Sequence, residues 1–323
     1  MTPSRVLITS LVTALISTFP AAALAQSPPV TSWGAPDLQG VWDFRSLTPM
    51  QRPEELGEKF SAEEAATFSE EFLRRESRDL ADAEAEARET GRVVPYNDFW
   101  FDWGSTVTTD RTSLILDPPD GRIPPLTPEA EERQAARQEA RRGVGTDEIS
   151  PGGWLDELSA PARCIMGFNQ GPPMTPSAYN NNMQLFQTED HVVILNEMIH
   201  DARVVPLDDR PHLSEDIRQW TGSSRGHWEG NTLVVETANR RDLSFRGATQ
   251  DLRLTERFTR ADDNTLVYEV TLEDPGTWTA PWTFMVPMTK NQGEIYEYAC
   301  HEGNYYMENM LRGKLTEEQD SSR

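Results

Sequence analysis

The chain has 323 residues, 37% hydrophobic and 9% aromatic, with 30 Lys plus Arg against 53 Asp plus Glu. That composition excludes a polytopic membrane protein, a coiled coil and a bare disulfide scaffold, and the length allows one large domain or two ordinary ones. A formal net charge of −23 repels phosphate backbones and anionic lipid, so no nucleic-acid partner is expected.

Residues 1–25 read as a secretory signal peptide. Arg5 supplies the positive start, Val6 to Phe19 the apolar stretch, and Ala23-Leu24-Ala25 a small-x-small cleavage site. Pro20 breaks the stretch and it is too short for a membrane span. No Cys follows the cleavage site, so no membrane anchor is expected. The product is expected in the periplasm of a bacterium or secreted. Export favours pairing of the only two cysteines, Cys164 and Cys300. In the chain-entropy view such a bridge stabilises by roughly 4–5 kcal/mol. The rival reading is two buried thiols.

Residues 26–182 read as an N-terminal strand plus a helical and loop extension. Leu38–Phe44 suggests a short strand. Ser61 and Glu64 form a capping box ahead of an apolar stripe of Ala65, Phe68, Phe72 and Leu73, which fades beyond Arg74 and ends at Gly91. Thr112–Leu116 reads as a strand and Asp117–Gly121 as a turn. A second helix opens at Thr127-Pro128 and stops at Gly143, with so few large apolar residues that a solvated excursion is expected. Residues 143–182 are irregular, and Asn180-Asn181-Asn182 is turn chemistry or the lip of a pocket.

Residues 183–323 change style to strand–turn–strand. Eight strands are predicted in four hairpins: Met183–Thr188 with His191–Val205, Gly226–Glu229 with Thr232–Thr237, Leu252–Arg260 with Thr265–Glu273, and Pro281–Thr289 with Glu294–Cys300. No βαβ rhythm appears. The predicted fold is mainly β, an antiparallel meander closing into a barrel with the helical extension outside it; a two-sheet sandwich is the runner-up.

Gly40-Val41-Trp42 resembles the lipocalin and calycin pattern, in which the Trp closes the bottom of a β-barrel cup. Arg111–Asp117, His191–Arg203, Ser224–Gly230 and Tyr296–Asn304 resemble stretches of a family of exported bacterial proteins.

Chemistry is expected in three places. Strand alternation would put Val192, Ile194, Asn196, Met198, His200 and Val204 on one face, with Arg203 on the other. His200 there is a general base or a core His satisfied by a carbonyl. His301, Glu302, Asn304 and Tyr305 follow Cys300 and would be pinned at a rim if the disulfide forms. Trp220, His227 and Trp228 offer an aromatic ligand surface or core filling. Glu236 is a second acid–base candidate if it points inward and a solvated residue if outward. No local His/Cys spacing calls for a metal, and no cofactor motif is present.

Two functions follow. The first is an exported enzyme, a lyase or isomerase, working on a small organic or carbohydrate-like molecule by cofactor-free acid–base chemistry, with His200 as base and His301 or Glu302 as acid. The alternative is a non-catalytic lipocalin-like binder of an aromatic or lipid ligand. Nothing in the sequence sets the oligomeric state.

Overall fold

The computed structural model describes residues 29–77, 98–144, 149, 153–154, 157–241 and 245–321. The segment read as a signal peptide and the stretch expected to carry the first helix on to Gly91 lie outside these. Ten strands form one antiparallel sheet: β1 (Gly40–Asp43), β2 (Ile115–Asp117), β3 (Asn182–Gln187), β4 (His191–Asn196), β5 (Ala202–Pro206), β6 (Ser223–Glu229), β7 (Thr232–Ala238), β8 (Arg253–Arg260), β9 (Thr265–Glu273) and β10 (Trp282–Asn291). Their order is β5-β4-β3-β1-β10-β9-β8-β7-β6, with β2 paired to β10 beside it.

Two meanders, β3–β5 and β6–β10, are therefore joined through β1. Gly40–Asp43 pairs with Asn182–Leu185 on one side, and Val41–Asp43 with Thr289–Asn291 on the other. The N-terminal segment is thus a central strand of the sheet as well as an external extension. Trp42 lies at the seam, fully buried, its Nε1 donating to the Leu38 carbonyl at 2.9 Å and the Arg260 guanidinium lying over its ring. Period-two alternation buries one face, on which Leu185, Ile194, Val235, Phe258, Tyr268 and Phe284 share a single apolar core.

The expected antiparallel, mainly β architecture is present, but its closure into a barrel is not. The sheet curls until Val205 of β5 packs close to Gly226 of β6, where an added Cβ would lie 3.0 Å from Val205 Cγ1. No backbone ladder joins β5 to β6, so the sheet is not closed.

Two strand assignments differ from expectation. His191–Val205 is a hairpin, not one strand. β4 stops at Asn196 and the chain turns through a single 3-10 turn in which Ile199 (φ 61°) and His200 (φ 55°) are both left-handed. The turn shifts the alternation, so Arg203 and Val205 point inward while Val204 is exposed. Residues 294–300 form no strand. β10's free edge is already occupied by β1 and β2, which leaves no ladder for a C-terminal hairpin arm.

Three α-helices are described: α1 (Ala62–Glu76), α2 (Pro128–Ala140) and α3 (Tyr305–Ser321). α1 carries the expected capping box: Glu64 N donates to Ser61 Oγ at 3.2 Å, and Ser61 N donates to Glu64 Oε2 at 2.7 Å. Its Ala65, Phe68 and Phe72 join Leu47, Phe60 and Val107 in a second, smaller core. α2 starts at the expected Thr127 cap and buries only Ala130. Cys164 and Cys300 are joined in a disulfide. Among the described residues no helix is long and apolar enough to cross a membrane.

Candidate functional site

The residues expected to carry chemistry are dispersed. His200 is exposed at the β4–β5 turn, and Glu236 points outward from β7. His301 and Glu302 are exposed beside the disulfide. Asn304 donates from Nδ2 to Cys164 Sγ at 3.2 Å, and shares a shallow depression with Glu302. Tyr305 begins α3 and is exposed. His227 is exposed and its Nε2 lies 3.3 Å from Glu229 Oε1, while the half-buried Trp228 packs on the main core. Trp220 lies under the Arg241 guanidinium, 4.6 Å from its ring centre. Asn196 is buried with its Oδ1 unpartnered. The seven groups named for acid–base or polar work on β4–β5, β7 and the C-terminal rim thus line no common wall. Among the described residues no His, Cys, Asp and Glu gather into a metal-binding set.

Arg203 is the exception, and it leads to what the sequence did not announce. Its guanidinium is 6% exposed and grips the fully buried Glu256 with two contacts, Nη1–Oε2 at 2.5 Å and Nη2–Oε1 at 2.8 Å. Tyr268 donates its hydroxyl to Glu256 Oε1 at 2.8 Å and accepts from Met174 N at 3.1 Å. Burial alone would lower Arg203, but the Glu256 carboxylate more than offsets it and leaves the guanidinium raised. Burial, then the Glu256 charge, pushes the Tyr268 phenol well above its usual range. This is a closed charge pair inside an apolar core.

Arg240 is a second buried arginine with no such partner. β7 ends at Ala238, and Asn239 (φ 55°) turns the backbone, its Nδ2 donating to the Leu213 and Ser214 carbonyls at 2.6 and 3.1 Å. Asn tolerates this left-handed conformation better than most residues. The Arg240 stem lies over Gly222 (φ 85°), where a Cβ would sit 2.8 Å from Arg240 Cγ and 2.7 Å from the Ala238 carbonyl. Glycine is required there on both counts. At 5% exposure, Arg240 leaves Nε and Nη1 without hydrogen-bond partners. Burial lowers its ionisation to about 10; Glu256 attracts the charge and Arg203 repels it.

Arg240 is among the residues that line a pocket of about 350 Å³. Its walls are Met166, Phe168, Pro172 and Pro173 on one side and Phe245 and Arg246 on the other. The loop wall is held at three points: the Cys164–Cys300 bridge, Gln170 Nε2 donating to Asp201 Oδ2 at 2.8 Å, and Met174 N on Tyr268. Arg246 also lines a neighbouring pocket of about 550 Å³ with Trp278, Leu126 and the α2 residues Ala130, Arg133, Gln134 and Arg137. Those α2 positions repeat at i, i+3, i+4 and i+7 and so share one face. Neither pocket has an acidic side chain among its described lining residues, on a chain where acids outnumber bases.

An apolar pocket with a few converging polar groups is the usual form of a small-molecule site. A buried guanidinium with unmet donors favours a planar anion such as a carboxylate, or a phosphate or sulfate. The one sequence signal that could have found this region is the i,i+4 spacing of Arg133 and Arg137 on α2. Arg240 has no local signature.

Comparison with protein-family models, curated proteins and solved structures finds no match to this chain. Fold and site together define a mainly β, disulfide-bonded protein with two arginine-bearing, largely apolar pockets.

Proposed function

We propose that the protein is an exported binder of a small amphipathic or aromatic anion, held with its anionic group against Arg240 and its apolar body between the 166–173 loop and Phe245. The observation that carries this reading is a buried arginine with two unpartnered guanidinium nitrogens among the residues that line a pocket. A buried polar group left unpaired costs about 1–3 kcal/mol, more when charged, and a ligand anion would recover that cost. The disulfide fits a periplasmic or secreted location, and the curled sheet is read as a lipocalin-like barrel wall that closes through side chains between β5 and β6. Binding is preferred over lyase or isomerase chemistry because His200, Glu236, His301 and Glu302 are exposed and line neither basic pocket.

The test is calorimetric titration with dodecanoate and 1-naphthoate, each against its neutral alcohol. Both anions should bind, at least about tenfold tighter than the alcohols, since a charge-assisted hydrogen bond contributes about 1.5–3 kcal/mol. Arg240→Gln should remove the preference. Equal binding of acid and alcohol, or an unaffected Arg240→Gln, would overturn the proposal.

A further inference from the structure

The Cys164–Cys300 bridge belongs to neither apolar core. Both cysteines line a surface depression of about 390 Å³, together with Ala162, Tyr298, Glu302 and Asn304. Cys164 is buried, whereas Cys300 is half-buried on residues 292–304, a stretch with neither strand nor helix. Asn304 Nδ2 donates to Cys164 Sγ at 3.2 Å, on the sulfur that carries the charge when the more open Cys300 is attacked. Cys164 also holds a left-handed backbone (φ 53°), a costly conformation for a residue with a Cβ. An open sulfur paired with a hydrogen-bonded leaving sulfur is what thiol–disulfide exchange favours.

The same bridge borders the anion pocket. Cys164 N donates to the Pro161 carbonyl at 2.9 Å, and Pro161 lines both the depression and the pocket that Arg240 lines. Ile165 N donates to the Ala160 carbonyl at 2.9 Å, and Ala160 and Met166 are both pocket wall. Cys300 is the covalent tie between this turn and the C-terminal segment.

We infer that the bridge is a thiol–disulfide exchange site, open to a dithiol reductant, whose redox state sets the wall of the anion pocket. The reductant's thiolate attacks Cys300 Sγ and forms a new S–S bond. The Cys164–Cys300 bond breaks, and its electron pair leaves on Cys164 Sγ, held by Asn304 until it takes a proton from water. The reductant's second thiol then displaces Cys300 Sγ. Two electrons have passed: the protein holds two thiols and the reductant a cyclic disulfide. The exchange stands apart from the anion-binding reading; only its consequence for the pocket rests on that reading.

The experiment treats the full chain with dithiothreitol, natively and in urea, and follows thiol release by alkylation and mass spectrometry. Native reduction should run within about tenfold of the rate in urea, whereas a bridge reached only through global unfolding would lag by about a thousandfold or more. Such a lag would overturn the exchange site. Trapping with 2-mercaptoethanol, an uncharged monothiol that Glu302 does not repel, should leave the mixed disulfide on Cys300 and a thiol on Cys164. The reverse would overturn the assigned direction. Asn304→Ala should slow native reduction about three- to tenfold, the worth of one hydrogen bond, with the rate in urea unchanged. An unchanged native rate would remove Asn304 from the step. 1-Naphthoate should bind the reduced protein at least about fivefold more weakly than the oxidised one, and recover on reoxidation. Equal affinity in both states would overturn control of the pocket. Melting temperature is followed alongside, and a reduced chain that unfolds would show a purely structural bridge. If the oxidised protein binds no naphthoate, the anion reading and the control of its pocket fall together, and the reduction rates still decide the exchange site.

Discussion

Arg203 and Arg240 are buried to nearly the same degree and differ in almost everything else. Arg203 spends its guanidinium on Glu256, a carboxylate fixed in turn by Tyr268. Arg240 keeps Nε and Nη1 unpartnered beside a pocket. One buried cation is closed by its own chain and ties β5 to β8 across the curl of the sheet; the other is left for something from outside. Burial alone does not separate a structural charge from a functional one. The presence of an internal partner does.

The sharpest way to break that contrast is to remove the partner. Glu256→Gln should strand Arg203 in the core and cost about 3–5 kcal/mol, read from urea unfolding. A loss under 1 kcal/mol would mean the pair does not hold β5 to β8. Removing the bridge with Cys164→Ser and Cys300→Ser together should cost about 2–4 kcal/mol. It should also weaken anion binding, because it frees one of three anchors of the pocket wall; unchanged dodecanoate affinity would show that the other two suffice.

Arg240→Met should move stability the other way. Exchanging an unpaired buried charge for an apolar chain of similar reach should raise stability by about 1–3 kcal/mol while abolishing dodecanoate binding. The pH dependence follows from the lowered ionisation. Burial lowers Arg240 from the usual arginine range to about 10 on folding, so the folded state holds this proton less tightly than the unfolded chain. Its destabilisation is complete below pH 10 and is relieved as pH rises above 10. The stability gap between Arg240→Met and the native chain should therefore stay level near neutrality and narrow above pH 10. A gap that is flat to pH 11 would show that the charge is already compensated.

The smallest effect is expected at His200. It is exposed at a turn and lines neither pocket, so His200→Asn should leave both unfolding free energy and dodecanoate affinity within about 0.5 kcal/mol. A larger change in affinity would return His200 to the site.

Much of the fold was legible because local chemistry and tertiary structure agree. The Ser61–Glu64 box, the Thr127-Pro128 start and the Gly230-Asn231 turn each carry their own signal, and an even cysteine count named the disulfide. The β4–β5 hairpin was not legible, because Ile199 and His200 occupy left-handed conformations with no Gly or Asn to mark them. That single turn reversed the facing of Arg203 and His200 and so misdirected the search for a site. The missing last strand was a contest over one edge: β10 pairs with β1, from 250 residues earlier, and pattern within residues 282–300 cannot report that. The site was hidden for a related reason. Arg133 comes from α2 and Arg240 and Arg246 from the connection after β7, about a hundred residues away in the chain, and Arg240 matters through the absence of a partner, which a sequence does not display.

The placement of β1 also bears on the order of folding. Residues 40–43 are made early, yet their partners lie at 182–185 and 289–291. Each meander can form its own hairpins as it emerges, but the seam at Trp42 waits until nearly the whole chain is present. Contacts of such long range close slowly, and until they do the inner edges of both half-sheets stay unpaired. A chain arrested before residue 289 should therefore expose strand edges that recruit chaperones, and release should come with the arrival of β10 rather than with the completion of any one hairpin.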